Sequence, residues 1–157
     1  MHRRIWLSVL PLLVLGLATS PAVAQTTPPA PATAAVDVRD RVVVETTAGN
    51  IVIALDPSAP ITAANFLRYV EEKRFDGTDF YRSMVLGPNL GLIQGGTQNA
   101  PDRVLPPIAH EPTSDTRLSH TDGAVSMARN EPGSATGDFF IIVGNVSTLD
   151  ANRSAPG

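Results

Sequence analysis

What most limits the fold of this chain is its punctuation. Short apolar runs recur at Phe80 to Val85, Gly91 to Gln94, Ala124 to Ala128 and Phe139 to Val143, and stretches rich in Pro, Gly and Asn separate them. Runs this short, bounded by turn formers, are strand-sized rather than helix-sized. Ahead of them Arg41 to Thr47 is rich in β-branched residues and Ala48-Gly49-Asn50 signals a turn. Ile51, Ile53 and Leu55 then alternate on one face, so this region predicts a β-hairpin. One segment follows a helical period instead: Ala63, Phe66, Leu67 and Val70 fall at i, i+3, i+4 and i+7. Thr62 is the predicted N-cap, and the helix is expected to end near Lys73, before the tight turn Asp76-Gly77. One early helix among many short strands predicts a β-barrel or a compact α+β domain. The conspicuous polar residues lie between or at the ends of the strands, where a rigid barrel would present a site.

The N-terminus reads as an export segment. His2, Arg3 and Arg4 form a positive start, Ile5 to Ala18 is apolar, and Ala22-Val23-Ala24 offers small residues before Gln25. That three-part pattern predicts a cleaved signal peptide over residues 1–24 and a periplasmic or secreted product. The apolar run is short for a bilayer span of about 20 residues, and Pro11 interrupts it; no stable membrane insertion is expected after cleavage. Arg3-Arg4 before Ile5-Trp6-Leu7 has a faint twin-arginine look, but the general secretory route is the preferred reading. Residues 25–36, with Pro28, Pro29 and Pro31, read as a Pro/Thr/Ala-rich linker. The folded domain is placed at 37–157, enough for one core.

Composition removes several function classes. The formal charge is −3, and Lys73 is the single lysine, so a basic face for nucleic acid is not expected. With no cysteine there is no disulfide framework, thiol nucleophile or thiolate-bound zinc, and an oxidising compartment is tolerated. His110-Glu111 and His120 lack a third ligand at suitable spacing and read as structural. Ser119, His120 and Asp122 contain hydrolase residue types, but sequence neighbours rarely meet as a triad in space.

Four ordered segments carry a resemblance. They are Phe80-Tyr81-Arg82 after Asp76-Gly77-Thr78, then Leu92-Ile93-Gln94-Gly95-Gly96-Thr97, then the stretch from His120 to Arg129, then Pro132 through Gly137-Asp138-Phe139-Phe140-Ile141. Any one is weak. Together, in this order behind a hairpin and helix, they resemble the cyclophilin family of peptidyl-prolyl isomerases over about Val42 to Asp150. The resemblance implies a mostly β fold, a closed β-barrel with a capping helix. It implies an isomerase that accelerates X–Pro rotation in exported proteins and so assists folding, acting as a monomer on unfolded or extended proline-containing polypeptides. By resemblance Arg82 and Gln94 are catalytic, and Leu92, Ala128, Arg129, Asp138, Phe140 and Leu149 bind substrate. No metal, nucleotide or other cofactor is implied.

Phe139 and Phe140 are adjacent and must point to opposite faces of a strand, so the resemblance alone assigns Phe140 to the pocket. Gly95-Gly96 reads as a turn.

Several positions depart from the family pattern. Arg129 replaces a usual Asn, Asp138 a usual Gln, and Gly91 a frequent aromatic. Thr148 stands where the most cyclosporin-sensitive members carry Trp, which implies weak cyclosporin binding. Asp138 is expected to pair with Arg82 or Arg129, or to repel acidic substrates. Ser83 to Leu90 is longer than the usual link and predicts a protruding loop around Gly87-Pro88-Asn89. The chain stops at Gly157, before the family's last strands and helix, and reads as a fragment of a longer protein. Two other classes stay open at this point: a catalytically weak chaperone or peptide-binding module of the same fold, and a small-ligand carrier in a β-barrel.

Overall fold

The computed structural model describes residues 40–151. The expected signal peptide at 1–24 and linker at 25–36 lie outside the described residues. Strands β1 (Arg41–Thr46) and β2 (Gly49–Ala54) form the hairpin. The turn falls on Thr47 and Ala48, one step earlier than expected, because the Thr46 hydroxyl donates to the Gly49 carbonyl and accepts the Ala48 N–H. The pairings Val42↔Ile53 and Val44↔Ile51 put four apolar side chains on one face, while Val43 and Val52 point to solvent.

Helix α1 (Pro60–Glu71) starts earlier than its sequence reading. Thr62 is not the N-cap. Pro60 fixes a helical φ near the first helical position, and Ala59 occupies the cap without a side-chain bond. The orphan N–H groups of Ile61 and Thr62 instead donate to the two carboxylate oxygens of Glu111, at 3.0 and 2.8 Å. A carboxylate there satisfies two donors and meets the positive end of the helix, a contact of about 1 kcal/mol. Ala63, Phe66 and Tyr69 turn inward, and Asn65 ties the helix to the Thr136 carbonyl at 2.8 Å.

The remaining strands are β3 (Phe80–Gly87), β4 (Leu90–Gly96), β5 (Val125–Met127) and β6 (Asp138–Val143). They form one antiparallel sheet in the order β3-β4-β6-β5. A short helix, α2 (Thr113–Thr116), and a 3-10 turn, η1 (Ser147–Leu149), complete the elements. The expected protruding loop at 83–90 is absent. Both strands extend through it, and Pro88-Asn89 closes a tight hairpin with Asn89 at φ 57°. Asn tolerates that left-handed conformation better than most residues. Gly95-Gly96 is not a turn either but the end of β4, where a Cβ on Gly96 would lie 2.3 Å from the Gly137 carbonyl oxygen.

The fold is mostly β, but among the described residues the sheets are not closed into the expected barrel. Closure requires every edge strand to be paired around the ring. Among the described residues the ladder bonds fall into two separate sheets, the β1-β2 hairpin and the four-stranded sheet. Side chains join them. Val42, Ile53, Leu55, Ala63, Phe66 and Phe139 are buried together, with Phe80, Val125, Met127 and Ile141 packed against them. Phe139 meets Phe66 edge to face at 5.2 Å and Phe80 at 5.9 Å. One face of the four-stranded sheet is thereby committed to the core, and the other is left to carry a site.

Candidate active site

The second face is ordered by register. Arg82 pairs with Gln94, Gln94 with Phe140, and Phe140 with Ser126. Directly opposed residues in antiparallel strands share a face, so these four side chains form one row across all four strands. A parallel row, Met84, Leu92 and Ile142, lies beside it. Leu92 and Ile142 are buried with Val146, and Met84, Ala124 and Phe140 pack on them.

A β-bulge makes the row possible. Phe80 pairs with Gly95 and Arg82 with Gln94, so Tyr81 is the extra residue on β3. In a regular strand Phe80 and Arg82 would share a face. The bulge flips one against the other, sending Phe80 to the core and Arg82 to the open face. It also brings Tyr81 within reach of Gln94. Gln94 Oε1 accepts from Arg82 Nη1 at 3.3 Å, and Gln94 Nε2 donates to the Tyr81 hydroxyl oxygen at 2.7 Å. Burial, followed by the nearby Asp138 carboxylate, pushes the Tyr81 phenol above its ordinary pKa, so the hydroxyl keeps its proton.

A cleft of about 320 Å³ opens on this face. All eight residues singled out in the sequence border it: Arg82, Leu92, Gln94, Ala128, Arg129, Asp138, Phe140 and Leu149. Arg82 and Gln94 stand at the polar end, and Leu92, Phe140 and Leu149 supply apolar wall. Phe140 faces the cleft while Phe139 is buried in the core, which settles their division of faces. Gly91 sits behind the cleft without lining it. A Cβ there would lie 2.6 Å from the Met84 carbonyl oxygen, so the close β3–β4 approach excludes any side chain. Asp138 is buried, and its Oδ1 accepts the Gln98 backbone N–H at 2.7 Å. That bond and its contact with the Tyr81 hydroxyl give the acid a local structural role beyond the expected charge effects. Sequence reasoning missed Tyr81, Met84, Asn99, Asn130, Ser134 and Thr136, which also line the cleft; Tyr81 escaped because a bulge leaves no mark in apolar alternation.

The other candidates separate. Asp122 does not join His120; its Oδ1 accepts the Gly144 N–H at 2.7 Å. His120 is instead bonded to Asp150 and Ser126. Glu111 is engaged at the start of α1. Among the described residues no group of three or more His, Asp or Glu could hold a metal ion, and no helix is long and apolar enough to cross a membrane. A larger groove of about 770 Å³, walled by Ile53, Phe66, Leu118, Val125 and Met127, also contains His120 and Ser126, but Arg82, Gln94 and Phe140 do not line it.

Comparison with known proteins gives the same direction. Residues 41–157 match the family model described as cyclophilin type peptidyl-prolyl cis-trans isomerase/CLD. A Dickeya dadantii protein named peptidyl-prolyl cis-trans isomerase A is 36% identical over 155 residues, covering 96% of this chain and 72% of that protein. A peptidyl-prolyl cis-trans isomerase of Acinetobacter baylyi is 39% identical over 118 residues, covering 72% of this chain and 60% of its own length. One from Streptomyces antibioticus is 40% identical over 116 residues, covering 71% and 66%. The chain thus spans about two thirds of the length of these relatives.

Proposed function

The chain belongs to the cyclophilin-type peptidyl-prolyl cis–trans isomerase family, and from that premise we propose that its cleft accelerates rotation about X–Pro bonds in proline-containing polypeptides. The uncatalysed barrier is about 18–20 kcal/mol because the amide is conjugated. It falls when the prolyl nitrogen becomes pyramidal and its lone pair leaves the conjugation. A fixed cation that donates a hydrogen bond to that nitrogen stabilises the twisted state more than the planar one, and only such a difference speeds the reaction. Arg82 is suited to this: its guanidinium stays charged and its donors form a rigid fork. Gln94 holds the guanidinium through Oε1. Phe140, Leu92 and Leu149 receive the pyrrolidine ring, and the Ala128-Arg129 stretch flanks the substrate backbone. No bond is made or broken in the substrate, so no nucleophile is needed.

The observation that carries this reading is the row itself. It puts a guanidinium at one end of a small cleft and an aromatic wall two strands away, with a bonded amide between them. A protease-coupled assay on an X–Pro peptide should show faster isomerisation with the chain present. Arg82→Ala should lower kcat/KM by about 2–4 kcal/mol of transition-state stabilisation. Unchanged activity in that variant would remove Arg82 from the mechanism.

We also place the protein outside the cytoplasm. The support is the basic start, the apolar run from Ile5 to Ala18 and the small residues of Ala22-Val23-Ala24. N-terminal sequencing of the exported product should begin at Gln25; a product still starting at Met1 would overturn the assignment.

A further inference from the structure

A side-chain relay centred on a buried histidine lies behind the cleft. His120 is 6% exposed, and its ring stacks on Phe140 with centroids 6.0 Å apart and planes inclined by 14°. Its Nδ1 lies 2.7 Å from Asp150 Oδ1, and its Nε2 lies 3.2 Å from the Ser126 hydroxyl. The backbone is stapled as well: the His120 N–H donates to Asp150 Oδ1 at 2.9 Å, and its carbonyl accepts from Val146 at 2.8 Å. Ser119 donates a further bond to the Asp150 carboxylate. Burial acts to raise the Asp150 pKa, but the bonds from Ser119 and His120 outweigh it and hold the carboxyl below its ordinary value. An ionised acceptor at Nδ1 favours a proton there, and in the neutral ring Nε2 then accepts from Ser126.

Each partner belongs to a different wall. Phe140 is on β6, Ser126 is opposite it on β5 and two residues before Ala128, and Asp150 directly follows Leu149 of η1. We propose that His120 is a positioning residue that locks Phe140, Leu149 and the Ala128 stretch into one arrangement and so sets the shape of the cup for the pyrrolidine ring. The inference rests on the isomerase reading of the cleft. It explains why a polar imidazole is buried beside an apolar wall. Both ring nitrogens are satisfied, so the ring can present a face to Phe140 without the penalty of an unpaired polar group. A cup loosened by a fraction of an ångström would bind proline less well while Arg82 kept its chemistry.

Two variants separate this from a purely structural role. Ser126→Ala removes one hydroxyl, and His120→Phe keeps a flat ring but loses both side-chain bonds. In the protease-coupled assay both should raise KM for the X–Pro peptide, His120→Phe by about tenfold, with kcat within about twofold of the parent. The second measurement is fluorine NMR of para-fluorophenylalanine placed at position 140. The parent should give one narrow resonance, and Ser126→Ala a broadened or doubled one. A Phe140 resonance and a KM unmoved by both variants would overturn the proposal. So would covalent labelling of Ser126 by a fluorophosphonate, since the relay would then be activating a nucleophile. A parent with no isomerase activity would refute the functional reading, and the resonance would still decide whether His120 positions Phe140.

Discussion

Gln94 has an amide whose two ends are nearly the same size, so its neighbours must decide which end faces Arg82. Arg82 can only donate and so calls for Oε1, and Tyr81 holds the amide in that orientation. The tyrosine oxygen takes the Nε2 donor, which turns Oε1 toward the guanidinium. Tyr81→Phe removes the acceptor and frees the amide to rotate. The loss of one hydrogen bond of about 1 kcal/mol predicts a fall in kcat/KM of roughly fivefold, with little change in melting temperature. Wild-type kcat/KM in this variant would show that Gln94 is oriented by something else. At this scale the sequence was informative about identity and silent about geometry. Arg82, Gln94 and Phe140 were legible through the ordered segments, and the split between Phe139 and Phe140 through strand alternation. Tyr81 was not, because its contact with Gln94 depends on a bulge that shifts β3 by one residue.

Among the elements, η1 is anchored by a single side chain. It is one 3-10 turn, and the carboxylate of Asp150 at its end binds Ser119 and both the backbone and the ring of His120. The folded state depresses the pKa of this group, so its contribution to stability is present above the ordinary carboxyl value of about 3.9 and is lost as pH falls through the lower folded value. Chemical denaturation of the parent and of Asp150→Asn, compared from about pH 5 down to about pH 2, should show a stability gap that closes with acid. A gap of constant size over that range would mean that the ionised carboxylate is not its source. Other elements show why boundaries were harder to read than types. The helix was legible from its period, yet its start was set by Pro60 and by Glu111, about fifty residues away, whereas the sequence placed the cap on Thr62. The hairpin at Pro88-Asn89 was read as a loop because turn formers mark a bend without saying how far the strands run into it.

Across the molecule, the mostly β composition was legible and the closure was not. Alternation reports which face of a strand is buried, and it carries no information on which strands bond to each other. The hairpin, the helix and the four-stranded sheet meet in one core of Val42, Ile53, Phe66 and Phe139 with Phe80 packed against it, contacts that a barrel or an open pair of sheets would use equally well. The row that crosses β3, β4, β6 and β5 has a corollary for folding. Its members sit on four strands but on a single line, so a slip of one residue along β4 would swing Gln94 into the packed interior and bring Ile93 out in its place. Misaligned ladders would therefore be catalytically silent however native their strand content, and regained turnover during refolding would act as a clock for correct alignment of the sheet.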